Sequence, residues 1–345
     1  MEKSLFRRVG SRISDIIQLT IYPRSTMSNS IQIPNEEHQP SQELDTYKYF
    51  GKQLQTIPSC NETVSLADLD DDPCISCADP CFDHSSYPSY LKIDYKSTLE
   101  GTVKPYIKHV LISTGKSDWN SHIEDDLGSL AANLNKVIKF DSGKKSGYFN
   151  VDANGEIEKP RIVITNSDRQ NSDNDPSFSK GNDILLFPDN ILVRNVSPKY
   201  ASEFYKKFLS STLDEKDQYI PSFNFTVEPM PYKAVIVICS HKRRDKRCGI
   251  TGPILKDEFN KVLKEKGLDL DSNSNGVAVF LSSHKFAGNV IVYRDGQGIW
   301  YGRVIPCHAK NIVETTVLDG KVIKDLYRGS MNGSFAPGKG GRLDW

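Results

Sequence analysis

A short apolar run, a polar turn and then an apolar stripe at helical spacing form one pattern, and the chain carries it twice. Ile107 to Thr114 (IKHVLIST) has the length and β-branched content of a strand. After the turn Gly115 to Trp119, apolar residues at 123, 127, 130, 134 and 137 predict a helix over Ser121 to Phe140. In the second half Lys233 to Ser240 (KAVIVICS) reads as a buried strand. A polar loop follows it, and apolar residues at 254, 255, 259 and 263 predict a helix starting near Pro253.

Arg161 to Thr165 and Asp183 to Phe187 predict two further strands, on either side of a Ser/Asn/Asp loop that reads as a mobile insertion too polar to bury. Lys199 to Leu213 predicts a helix, and the proline-bearing stretch Pro221 to Pro231 a domain junction. Gly276 to Leu281, Val290 to Tyr293 and Ile299 to Val304 predict short strands, and Pro306 to Leu318 and Val322 to Tyr327 helices. Such alternation is an α/β plan. It divides the chain into a leading segment and linker (1–45), a first unit with a cysteine-rich loop (46–225), a second unit (226–330) and a tail (331–345).

The charges balance, 44 Lys+Arg against 44 Asp+Glu, so no global field draws the chain to nucleic acid or anionic lipid. The longest apolar run, Ala234 to Cys239, is strand-sized and falls far short of the roughly 18 to 20 residues that cross a bilayer. No nucleic-acid partner and no transmembrane segment are therefore expected. In the first thirty residues Leu5, Val9, Ile13, Ile16 and Ile17 recur at helical spacing, with Arg8 and Arg12 off the stripe. That fits an amphipathic mitochondrial targeting helix, or a surface helix or tail of a cytoplasmic protein. The proline-containing polar stretch 23–45 reads as a linker.

Seven cysteines, an odd number with no secretory apolar region, favour metal or thiol chemistry over a disulfide framework. Cys239 ends the apolar strand and Cys248 precedes the helix, so one loop holds both thiols. Soft thiolates there suit iron–sulfur ligation, and Lys242, Arg243, Arg244, Lys246 and Arg247 are expected to lower their pKa and offset negative charge. The bland alternative is one core cysteine and one loop cysteine. His284, in the segment HKFAGN between two strands, offers a ring nitrogen for metal, although a lone histidine fits a hydrogen-bonding role equally well. Cys74, Cys77, Cys81 and His84 have the spacing of a compact zinc knuckle, of a reversible Cys74/Cys77 thiol pair, or of plain loop residues. Gly115-Lys-Ser lacks the upstream glycine of a P-loop, since Val110 holds that place, so nucleotide binding is unsupported.

The context C-S-H-x-x-R-D-x-R-C-G around Cys239 and Cys248, then HKFAGN, then WYGRV-x-P, resembles the sucrase/ferredoxin-like family. KPYIKHVLISTGKSDW (104–119) resembles its fungal thioredoxin-like ferredoxin branch, and the likeness covers roughly residues 70–330. The resemblance implies two thioredoxin-like units, the first degenerate and the second a thioredoxin-like ferredoxin domain. It also implies a [2Fe-2S] cluster held by two Cys and two His, with Cys239, Cys248 and His284 matching three of these ligands. Phe280 stands where the family's other histidine falls, so the fourth ligand is open, with His241, Cys307 and His308 as candidates. The implied function is redox or electron transfer with a protein electron donor or thiol partner, at a potential that depends on pH through imidazole ligation. A cluster-free thiol redox or quality-control factor, or a scaffold that keeps only the fold, are the alternatives.

Overall fold

Strand β1 (Lys108–Ser113) is buried from its second residue onward, which is why its sequence is apolar without alternation. It pairs in parallel with β4 (Ile162–Ser167) and antiparallel with β5 (Asn182–Phe187). Helix α1 (Leu130–Ser142) makes the β1-to-β4 crossover, and that connection also carries a two-residue hairpin, β2 (Asn150–Val151) with β3 (Ile157–Glu158). Strands β6 (Ile191–Val196) and β7 (Val227–Pro229) extend the sheet antiparallel, and α2 (Ala201–Phe204) runs on in wider turns to Leu209.

The second half follows the same order. Strand β8 (Ala234–Cys239) pairs in parallel with β9 (Val277–Ser282) across helix α3 (Cys248–Glu265). On the other side of β8 come β10 (Val290–Arg294), β11 (Gln297–Tyr301) and β12 (Tyr327–Ser330), all antiparallel, with α4 (His308–Asn311) continuing to Leu318. Both halves join in one ten-stranded sheet, ordered β12-β11-β10-β8-β9-β4-β1-β5-β6-β7. The computed structural model describes residues 84–142, 150–151, 157–158, 161–172, 181–210, 226–273, 275–284, 286–331 and 334.

One face of each half packs on its own helices. Ile236, Ile238, Val279 and Leu281 meet Leu255, Phe259 and Val262 of α3, while Val110, Ile112, Ile184 and Leu186 meet Leu130 and Leu134 of α1. The opposite faces share one core, in which Leu111, Leu185 and Phe187 of the first half meet Val235, Val237, Ile291 and Tyr293 of the second. Phe187 and Tyr293 stack at 4.0 Å although four strands lie between theirs in the sheet order. In a flat sheet, at about 4.8 Å per strand, they would stand roughly 24 Å apart. The sheet therefore curls until its two halves close on each other, with the helices outside.

Several expected elements shift. Helix α1 starts at Leu130 because Gly128, at φ +85°, breaks the periodic run; Leu127 is left exposed, and only a 3₁₀ turn at Ile123–Asp125 precedes the helix. Helix α3 starts at Cys248, ahead of Pro253, because the Cys248 N–H bonds Asp245 O at 3.0 Å and begins the turn. In place of the helix expected over Val322 to Tyr327 there is only a 3₁₀ turn, Lys324–Leu326, leading into β12, with Val322, Ile323 and Leu326 reaching the α3-side core. The polar run expected to stay outside is partly buried: Asn166 and Ser167 end β4, Asp183 lies in β5, and Arg169 between them is buried as well. Burial is tolerated because Arg169 Nη1 meets Asp183 Oδ2 at 3.0 Å and Ser172 donates to the same oxygen at 2.7 Å.

Candidate functional site

Strand β8 ends on Cys239 and α3 begins on Cys248, and both side chains are fully buried with Ala287 packed against them. The thiols are free and touch: Cys248 donates to the Cys239 sulfur, and that bond together with burial pushes the Cys248 thiol far above its ordinary range. The expected lowering by the cationic loop is therefore wrong for Cys248. Lys242, Arg243, Arg244 and Lys246 are exposed, Arg243 being paired with Asp118 and Asn120, and Arg247 is held by the Asp245 carboxylate through its Nε at 3.0 Å and Nη2 at 2.8 Å. Two close approaches need glycine here. A Cβ on Gly252 would come within 2.8 Å of Cys239 O, and one on Gly288, at φ +68°, within 2.8 Å of Val304 O.

The loop after β8 is clasped by the equivalent loop after β1. Ser240 Oγ donates to Ser117 O at 2.8 Å, and Arg243 Nη1 to Asn120 Oδ1 at 2.9 Å. His241 Nε2 lies 3.1 Å from Trp119 O and 2.9 Å from Asn120 O. Carbonyls only accept, so Nε2 carries the proton and Nδ1, buried and unpartnered, is left with a lone pair.

His284 has no partner at either ring nitrogen. Its ring lies edge-on to His109 at 5.7 Å and to Trp300 at 5.0 Å. Burial, then the neighbouring His109, Arg328, Arg244 and His241, hold its pKa well below the ordinary histidine range, so it is neutral. Asn289 Nδ2 is also orphaned, while the backbone carbonyl of Asn289 accepts from Cys239 N at 3.0 Å. Of the seven buried side-chain nitrogen or oxygen atoms without a partner among the described residues, four belong to His241, His284 and Asn289. Orphaned buried atoms are costly unless they serve a ligand, and those of His241 and His284 sit two residues beyond the paired strand ends Cys239 and Ser282.

Phe280 lies in β9 with its ring on the shared inner face, 5.7 Å from Tyr232. Cys307 and His308 sit at the start of α4, where His308 Nδ1 accepts from Ile305 N at 3.2 Å. His84 Nδ1 meets Glu258 Oε1 at 2.9 Å, and Cys74, Cys77 and Cys81 lie outside the described residues, as does the leading segment with its targeting-like stripe. Among the described residues no three His, Cys, Asp or Glu side chains converge closely enough to hold one metal ion. The donor chemistry nonetheless fits a mixed thiolate and imidazole site, with two sulfurs in contact and two imidazoles bearing unpartnered nitrogens.

Sequence reasoning passed over Arg328 and His109. Arg328 stands on β12, one residue past the helix expected over Val322 to Tyr327, and its slot exists only through β-pairing. His109 hid inside an apolar run, yet a basic residue in the middle of a buried strand was the signal.

These features define a mixed α/β protein with a buried pair of touching thiols at the end of a central strand. The chain belongs to the sucrase/ferredoxin-like family, whose profile matches residues 99–329. It is 31% identical over 273 residues to altered inheritance of mitochondria protein 32 of Debaryomyces hansenii, covering 72% of this chain and 90% of that one. The protein of that name from Meyerozyma guilliermondii is 29% identical, with 76% and 93% covered. Actin patches distal protein 1 of Saccharomyces cerevisiae is 28% identical, with 66% and 74% covered. No solved structure matches the chain.

Proposed function

We propose that this chain is a redox protein that carries a [2Fe-2S] cluster and passes single electrons between protein partners. Cys239 and Cys248 supply the thiolates, His284 one imidazole, and His241 Nδ1 takes the place left by Phe280. The observation that carries the reading is a pair of touching thiols together with orphaned nitrogens on His241 and His284, each two residues past the paired strand ends Cys239 and Ser282. When bound, such a cluster supplies one-electron transfer, and imidazole ligation raises its potential above that of an all-thiolate centre. His241 is already oriented for the task by the Trp119 and Asn120 carbonyls, the outer contact that metal-binding histidines commonly have. The repeated strand, helix, strand, strand-pair order supports reading both halves as thioredoxin-like, the second being the ferredoxin unit. The names of the Debaryomyces and Meyerozyma relatives suggest a mitochondrial setting for this chain as well.

The test is EPR of the reduced, anaerobically isolated protein with iron analysis, which should give a mixed-ligand signal and about two irons per chain. Colourless, iron-free protein after anaerobic reconstitution would falsify the reading. The sulfur contact favours one second reading, a Cys239/Cys248 couple that forms a reversible disulfide. Oxidised protein in which those two thiols resist alkylation until reduced, and which never holds iron, would select it.

A further inference from the structure

Two arginines of this protein are buried to a similar degree, and they are compensated differently. Arg169 has the Asp183 carboxylate at 3.0 Å. Arg328 is 4% exposed, and its partners are all neutral: Nη1 donates to Asn289 Oδ1 at 2.5 Å, Nε donates to Thr102 Oγ1 at 3.0 Å, and the Phe286 ring lies 4.6 Å away. No carboxylate pairs with it among the described residues. A buried guanidinium without counter-charge is destabilising, so its retention in a tailored slot calls for a nearby anion. The slot is tailored at Gly302, where a Cβ would fall 2.5 Å from Arg328 Cδ.

The geometry points to the sulfur site as that anion. Asn289 bridges the two groups, with its side-chain oxygen on Arg328 and its backbone oxygen on Cys239 N. Burial lowers the Arg328 pKa to about 10, while negative charge on Cys239 acts in the opposite sense, so the guanidinium is charged at neutral pH. Phe286, held at φ +99°, covers the guanidinium and is itself 48% exposed, so the arginine is screened from water by a strained residue of the His284 loop.

We infer that Arg328 is the built-in counter-cation of the Cys239/Cys248 site and sets how readily that site accepts an electron. This rests on the cluster reading above. Uptake of one electron adds one negative charge at the sulfur-ligated centre. A fixed cation beside Cys239 stabilises the reduced form more than the oxidised form. Arg328 is thus a tuning residue, with no part in ligation.

The experiment is a dye-mediated redox titration of anaerobically isolated full-length chain with dithionite as one-electron reductant, comparing wild type, R328K and R328M. R328M should make reduction at least tenfold less favourable, which is about 59 mV lower for a one-electron couple. R328K, which keeps the charge, should stay close to wild type. A cluster-loaded R328M with an unchanged midpoint overturns the inference and leaves the cluster reading standing, whereas a wild type that holds no cluster overturns both. Where R328M does not retain the cluster, R328Q is titrated in its place and decides by the same criterion.

Discussion

Mild acid should destabilise this protein through His109. The ring is fully buried on the shared inner face, with Nδ1 2.6 Å from Tyr293 Oη and Nε2 2.7 Å from Thr165 Oγ1. Burial, with a small contribution from Arg161, lowers its pKa from 6.5 to about 3. Above pH 6.5 neither the folded nor the unfolded chain protonates this group, and stability is unaffected. Below it the unfolded chain takes up a proton that the folded chain refuses, so stability falls as pH drops toward 3. At pH 4.5, two units below the unfolded value, the loss is about 2.7 kcal/mol at about 1.36 kcal/mol per unit. Set against a typical total of about 5 to 15 kcal/mol, that is a large share. His284 adds to the loss with the same sign, since its pKa is also lowered chiefly by burial. The assay is urea unfolding of wild type and H109Q at pH 7.0 and pH 4.5. H109Q should be weaker at pH 7.0 by about 1 to 3 kcal/mol, having lost a buried bridge. It should nevertheless lose about 2.7 kcal/mol less than wild type on acidification. Equal losses in the two proteins would refute the reasoning.

Three other perturbations test separate parts of the structure. His241→Ala should abolish visible absorption and iron binding, and adding Phe280→His, which restores a histidine on the inner face of β9, should recover iron measurably; an H241A chain with full iron content removes His241 from the ligand set. Gly288→Ala forces a side chain into φ +68° and against Val304 O, so the thermal midpoint should fall with a loss above about 1 to 2 kcal/mol, the usual penalty of that conformation for an L-residue. Asp183→Asn leaves Arg169 buried without a counter-charge and should destabilise by about 3 to 5 kcal/mol in denaturant titration. Burial raises the Asp183 pKa, but the Ser172 contacts, Arg169 and the Asn195 N–H outweigh it and the net shift is downward. Its contribution is therefore present above about pH 3.9 and fades as pH falls through the lowered value, so the gap between wild type and D183N should hold constant above that pH and narrow below it.

The alternation of apolar strand and amphipathic helix was legible in both halves, as was the loop carrying Cys239 and Cys248, because these are local patterns. What depended on distant partners was not. Nothing near Arg169 in the chain announces that Asp183 will neutralise it, so a polar stretch looked unburiable. The tyrosine at the head of β12 follows Val322, Ile323 and Leu326, whose spacing imitates a helix turn, and only pairing with β11 makes it a strand. The proton position on His241 is fixed by two carbonyls about 120 residues earlier in the chain. Cations counted along the thiol loop suggested an acidified cysteine pair, but the count could not show that most of those side chains face solvent.

The junction between β4 and β9 has a single matched residue pair, Ser167 with Ser282, while the aromatic wall behind it spans both halves. Cutting the chain between β7 and β8 would therefore sever little backbone pairing and strip two complementary oily surfaces. Neither fragment should dissolve by itself, yet the two expressed together should find each other and reassemble, which makes this protein suited to split-fragment complementation.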